Sequence, residues 1–116
     1  MSSSLFDYSA PLILTIPSVL TSEECSYWIK RIKDAGTEPA PINTIGGQVV
    51  KAQVRSNRRV MFDDLGWAEI LFDRVRPEAP LQIHGLQLCG VNERLRCYEY
   101  RVGQHFAPHT DGVFIR

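Results

Sequence analysis

The feature that most constrains this chain is a change in the period of its apolar residues. Cys25, Trp28, Ile29, Ile32 and Ala35 recur at helical spacing, and so do Leu65, Ala68, Leu71, Phe72 and Val75. From Leu81 onward the pattern becomes alternation: Leu86, Leu88 and Gly90 interleave with Gln87, Cys89 and Val91. A period near 3.6 suits a helix with one apolar face, and a period of two suits a strand. Helices followed by strands predict an α+β chain.

Local signals set the element ends. Thr21 and Glu24 have the spacing of a capping box, Leu20 and Cys25 that of a hydrophobic staple, and Gly36 stands where a left-handed C-terminal residue belongs. The first helix therefore runs from about Thr21 to Gly36, with Lys30, Arg31, Lys33 and Asp34 outward. Asp64 caps a second helix over Leu65 to Arg76, which Pro77 stops. Pro11 to Ile16 reads as a short buried strand, and Val49 to Phe62 as a strand interrupted by the polar Arg55-Ser56-Asn57-Arg58-Arg59. Pro39, Pro41 and Gly46-Gly47 mark a loop. Lys51, Arg55, Arg58 and Arg59 form a basic cluster that reads as a solvated face, with contact to an acidic substrate as the less favoured alternative. Leu95 to Arg101 is a further strand, with Arg96, Tyr98 and Tyr100 on one face and Leu95, Cys97 and Glu99 on the other. Periodicity leaves open which face is inside.

With 116 residues the chain is at most one domain. Lysine plus arginine and aspartate plus glutamate both total 13, so no net field points to nucleic acid or to an anionic membrane. The longest apolar run, Pro11 to Pro17, falls far short of the ~20 residues of a membrane span. Cys25, Cys89 and Cys97 cannot all pair, which fits a reducing compartment. These features read together as a soluble intracellular, cytoplasmic protein.

Chemistry gathers at the end of the sequence. His109 and Asp111 are one residue apart, so in an extended segment both side chains leave the same face and can meet on one cation. With a second histidine such a pair makes the facial triad of non-haem Fe(II) oxygenases. Two other readings of these residues stand beside it. One is a surface turn cornered by Asp111-Gly112. The other is a zinc site from Cys89, Cys97, His105 and His109, although the cysteine spacing is wide for a zinc knuckle.

The run Tyr100-Arg101-Val102-Gly103-Gln104-His105-Phe106-Ala107-Pro108-His109-Thr110-Asp111 resembles the first conserved block of prolyl 4-hydroxylase-like Fe(II)/2-oxoglutarate-dependent dioxygenases, Y-x-x-G-Q-x-F/Y-x-P-H-x-D. Val19 to Cys25 is similar to that family's opening helix. Asn57-Arg58-Arg59-Val60 with Asp63-Asp64 is similar to the strand and helix entry preceding the block.

The resemblance implies N-terminal helices packed on a partial double-stranded β-helix (jelly roll), truncated after the H-x-D motif. Residues 1–116 would form one partial dioxygenase domain, with support from 1–80 and the start of the jelly roll at 81–116. It implies His109 and Asp111 as metal ligands, Tyr100 as the tyrosine beside 2-oxoglutarate, Tyr98 as a lesser candidate, and structural roles for Gly103, Phe106 and Pro108. His105 would lie at the rim. Fe(II), the cosubstrate 2-oxoglutarate, dioxygen and ascorbate are the implied small molecules, with a protein side chain or a small molecule as substrate. The family's second histidine and its basic residue for 2-oxoglutarate would fall after Arg116. Two expectations follow: an incomplete portion of a working hydroxylase, or a shortened, non-catalytic paralogue that serves as an interaction module. In either case unpaired strand edges would favour self-association.

Overall fold

The computed structural model describes residues 13–109, and helix α1, Ser22–Ala35, opens its regular structure. The Thr21 hydroxyl accepts from the Glu24 backbone N–H at 3.1 Å, and the Glu24 carboxylate accepts from the Thr21 N–H at 2.9 Å. This reciprocal pair satisfies two of the donors that a helix start leaves unpaired. At the other end Gly36 takes φ 81° and donates to the Ile32 carbonyl at 3.0 Å, the single bond of an αL cap. The apolar stripe is covered less than its spacing predicts. Trp28 and Ile32 are half-buried, whereas Cys25, Ile29 and Ala35 are exposed, and Glu24 and Arg31 share the covered side.

Strands β1 (Glu38–Pro39), β2 (Ile42–Thr44), β3 (Gly47–Val49) and β4 (Arg58–Asp63) follow. Helix α2, Leu65–Val75, comes next, with the Asp64 carboxylate accepting from the Trp67 N–H at 2.9 Å. Its inner face is Ala68, Leu71, Phe72 and Val75 as expected, but Leu65, in the first turn, stays exposed. Strands β5 (Gln82–Ile83) and β6 (Leu86–Gln87) form a hairpin, and β7 (Arg94–Glu99) closes the order. The hairpin turns at His84 (φ 53°) and Gly85 (φ 75°), both left-handed as a type I′ turn requires.

One sheet has the order β1-β4-β7, with Glu38 opposite Arg59 and Pro39 opposite Arg58 in an antiparallel pair. A second pairs β2 with β3, and a third β5 with β6. The chain is thus α+β. Among the described residues no helix is long and apolar enough to cross a membrane.

Contacts divide the chain into two compact units, Met1–Ile29 with Phe62–Leu95 and Lys30–Met61 with Arg96–Arg116. In the first, Trp28 packs edge-on to Trp67 (centroids 5.3 Å) and Phe62 (5.8 Å), and Tyr27 stacks on Trp67 at 5.8 Å. Arg74 donates to both oxygens of Glu24 at 2.6 and 2.8 Å and to the Val19 carbonyl at 2.9 Å. Arg94 makes a forked pair with Asp63 at 3.0 and 3.2 Å. Among the described residues of the second unit, Ala40, Arg55 and Asn57 are buried.

Several strand expectations are corrected. Residues 13–16 form no strand and Ile13 is 90% exposed, while Pro11 and Leu12 lie outside the described residues. The stretch beginning at Val49 is not one interrupted strand. Lys51 accepts from the N–H groups of Val54 and Arg55, winding a turn, and extended pairing with β1 resumes only at Arg58. The expected alternation from Leu86 to Val91 is paired only at Leu86–Gln87, and the side chains there are exposed apart from Val91. In β7 the open choice of face resolves: Leu95, Cys97 and Glu99 are half-buried, and Arg96, Tyr98 and Tyr100 face outward.

Candidate functional site

The block after β7 is built by turn chemistry. Gly103 has φ 81°, and Gln104 donates to the Arg101 carbonyl at 2.9 Å, the geometry of a type II turn with glycine at its third position. The Gln104 side chain returns to accept from the Arg101 N–H at 2.9 Å, so both residues of the Gly-Gln pair hold the turn. The chain then runs antiparallel to residues 54–56. Ser56 donates to the His105 carbonyl at 2.7 Å, Ala107 donates to the Val54 carbonyl at 2.8 Å, and Arg55 bridges Phe106.

His105 belongs to this clasp. Its Nε2 lies 3.0 Å from the Gln53 carbonyl, which can only accept, so Nε2 carries the proton and Nδ1 accepts from the Ser56 hydroxyl at 3.0 Å. One ring nitrogen therefore fastens the Gln53 backbone and the other the Ser56 side chain, a use that no sequence signal announced.

His109 is held differently. Its ring stacks on Phe106 with centroids 3.6 Å apart and planes 10° from parallel. Its Nδ1 lies 2.8 Å from the Ala107 carbonyl, so Nδ1 bears the proton and, in the neutral ring, Nε2 bears the lone pair. A backbone carbonyl on one nitrogen is the usual way in which a ligating imidazole is oriented through the other. Asp111 lies outside the described residues. Among those described, no three His, Cys, Asp or Glu side chains gather as a metal group.

Behind Phe106 stands Arg55, which is only 6% exposed. Its guanidinium carbon lies 4.0 Å from the Phe106 centroid and 4.7 Å from that of Tyr98. Two groups this close cannot share one face of Phe106, so the ring sits between Arg55 and His109. The expectation of a solvated basic face is thus corrected for Arg55, whereas Lys51 is exposed and Arg58 and Arg59 are half-buried. Burial, then the like charge of Arg55, pulls the Arg59 guanidinium below its usual range, against an opposing pull from Tyr98 and with a lesser contribution from Arg96. Tyr98 and Tyr100 occupy the same outward side of the chain, 42% and 52% exposed, and Tyr98 forms one wall over Arg55.

On the opposite side of β7 is a cavity of about 600 Å³ lined by Lys33, Thr37, Arg58, Glu99, Arg101 and Gln104 among others. Its polar groups are largely spent on one another. Arg58 donates to the Thr37 hydroxyl at 3.2 Å, Thr37 donates to Glu99 at 3.0 Å, and Arg101 lies 3.6 Å from Glu99. Because Tyr98 and Tyr100 point the other way, this cavity is not where the resemblance would seat a cosubstrate.

Within the second unit, the zinc candidates Cys97, His105 and His109 form no metal group. Burial pushes the Cys97 thiol up, against an opposing pull from Arg31, and a thiol that resists deprotonation is a poor metal ligand.

No family model matches the chain, and it matches no curated protein and no solved structure.

Proposed function

We propose that this chain carries the first metal-ligand pair, His109 and Asp111, of a prolyl 4-hydroxylase-like Fe(II)/2-oxoglutarate dioxygenase. The observation that carries the reading is the state of His109 at the end of the Tyr100 to Asp111 block. Its ring is fixed by a stack and by the Ala107 carbonyl, in the tautomer that offers Nε2 to a cation. An imidazole and a carboxylate one residue apart form a donor set that suits Fe(II). Bound there, iron would supply the redox chemistry that couples oxidation of 2-oxoglutarate by dioxygen to hydroxylation of a C–H bond, with ascorbate as an accessory reductant.

The chain's own residues hold and orient. His109 would bind through Nε2, and Asp111 would bring the carboxylate. Tyr100 would direct its hydroxyl to the cosubstrate from the outward side of the chain, with Tyr98 beside it as the wall over Arg55. An antiparallel β1-β4-β7 sheet fits one layer of a jelly roll. The free thiols Cys25, Cys89 and Cys97 fit a reducing cytoplasm.

The test is Fe(II)-dependent succinate formation from 2-oxoglutarate by the full-length protein. His109→Ala and Asp111→Ala should each abolish it, while Tyr100→Phe should raise the 2-oxoglutarate requirement about fivefold, the equivalent of one lost hydrogen bond. Undiminished turnover in Asp111→Ala removes the metal assignment. A wild-type protein that folds but neither binds Fe(II) nor turns over favours the interaction-module reading instead.

A further inference from the structure

Arg55 is an expensive residue to place where it lies. Its Nε donates to the Asn57 side-chain oxygen at 2.8 Å and its Nη1 to the Pro41 carbonyl at 3.3 Å, while the buried Nη2 has no hydrogen-bond partner among the described residues. No carboxylate faces it within ion-pair distance among those residues. A buried cation without an anionic partner is costly, and a leucine or methionine would fill the same slot without that cost. What a guanidinium adds is a flat, rigid slab that prefers an aromatic face. Here that slab lies between the rings of Tyr98 and Phe106, and the far face of Phe106 carries His109.

The backbone makes this order of stacking specific. Arg55 and Phe106 are bridge partners, and the hydrogen bonds from Ser56 and Ala107 flank them on either side, so guanidinium and ring are locked in register. A Phe106 ring backed by Arg55 has one orientation available, and the imidazole stacked within 10° of it inherits that orientation. We propose that Arg55 is a positioning residue for His109, acting through the Phe106 ring to set the direction in which His109 Nε2 points. Its purpose rests on the reading of His109 as a metal ligand, although the ring geometry itself does not.

The two can be tested apart by NMR of the full chain with labelled histidine. A stacked Phe106 ring displaces the His109 ring protons upfield, and Phe106→Leu calibrates complete loss of that displacement. Arg55→Leu, its fold checked by circular dichroism, should lose most of the displacement, and Arg55→Lys, which keeps charge without the plane, should lose part of it. A folded Arg55→Leu protein with the wild-type displacement overturns the proposal. So does a wild-type protein whose His109 signals ignore Phe106→Leu. Should Arg55→Leu fail to fold, Arg55→Lys decides the matter, and an undiminished displacement there is equally fatal.

Co(II) titration of the same proteins supplies the second readout. Weaker Co(II) binding in Arg55→Leu that is partly restored in Arg55→Lys supports the positioning role, and measurable binding that is equal in wild type and both Arg55 variants overturns it. Absence of Co(II) binding in wild type, with the Arg55-dependent displacement intact, supports the ring-positioning geometry and overturns the metal reading alone.

Discussion

Replacing Asn57 with alanine should be among the most damaging single changes in this chain. Asn57 is fully buried, and its side-chain oxygen is the better of the two acceptors that Arg55 has, at 2.8 Å against 3.3 Å for the Pro41 carbonyl. Removing it leaves a buried guanidinium with one long hydrogen bond. Loss of a bond to a charged group costs about 2 kcal/mol. The vacated volume, in a place closed to solvent, adds about 1 kcal/mol. The expected total is about 3 kcal/mol, a shift in Tm on the order of 10–20 °C for a chain of this size. The bond from the Ala40 N–H to the Asn57 carbonyl belongs to the backbone and survives the change, so the effect reports the side chain alone.

Urea unfolding followed through Trp28 and Trp67 fluorescence measures this, with Asn57→Asp as the internal control. Aspartate keeps an acceptor on Arg55 Nε and gives the cation a counter-charge, so at neutral pH it should fall within about 1 kcal/mol of wild type. An alanine variant within about 0.5 kcal/mol of wild type would refute the argument that Arg55 depends on this acceptor.

Two further perturbations probe other parts of the fold. Hydrogen bonds from Arg74 and from the Thr21 backbone bring the Glu24 carboxyl down from 4.5 to about 2. A depressed carboxylate contributes stability that is complete above its unfolded value and is lost as pH falls through its folded one. Wild type should therefore lose stability between pH 4.5 and 2 more steeply than Glu24→Gln, as an acid titration followed by circular dichroism would show. Gly103→Ala meets no atom within 4 Å, so its penalty is the left-handed φ of 81° alone, about 1 kcal/mol in urea unfolding.

Features whose cause is local were legible in the sequence. The capping box at Thr21 and Glu24, the αL glycine at Gly36 and the Asp64 cap each depend on residues a turn apart, and all appear as read. Features decided by distant partners were not legible. The face of β7 is ambiguous at period two, and only packing turned Cys97 and Glu99 inward. An arginine in a basic run reads as solvated until Tyr98 and Phe106 are brought onto it from the far end of the chain. The run ending at Ile16 has strand composition, but composition cannot supply the neighbouring strand that residues 13–16 lack. At the candidate site, spacing singled out His109, whereas its tautomer and ring orientation come from Ala107 and Phe106 acting through geometry.

The clasp between Ser56 and His105 joins positions 49 residues apart, and this sets the order in which the molecule can assemble. Helices α1 and α2 and the two hairpins close over short stretches and can form early, on microsecond timescales. The clasp must await closure of a long loop, whose entropy is lost before any bond across it forms. His109 is therefore oriented late, after both helices have formed. A slow step in refolding would show itself at the histidine signals while helical circular dichroism is already native.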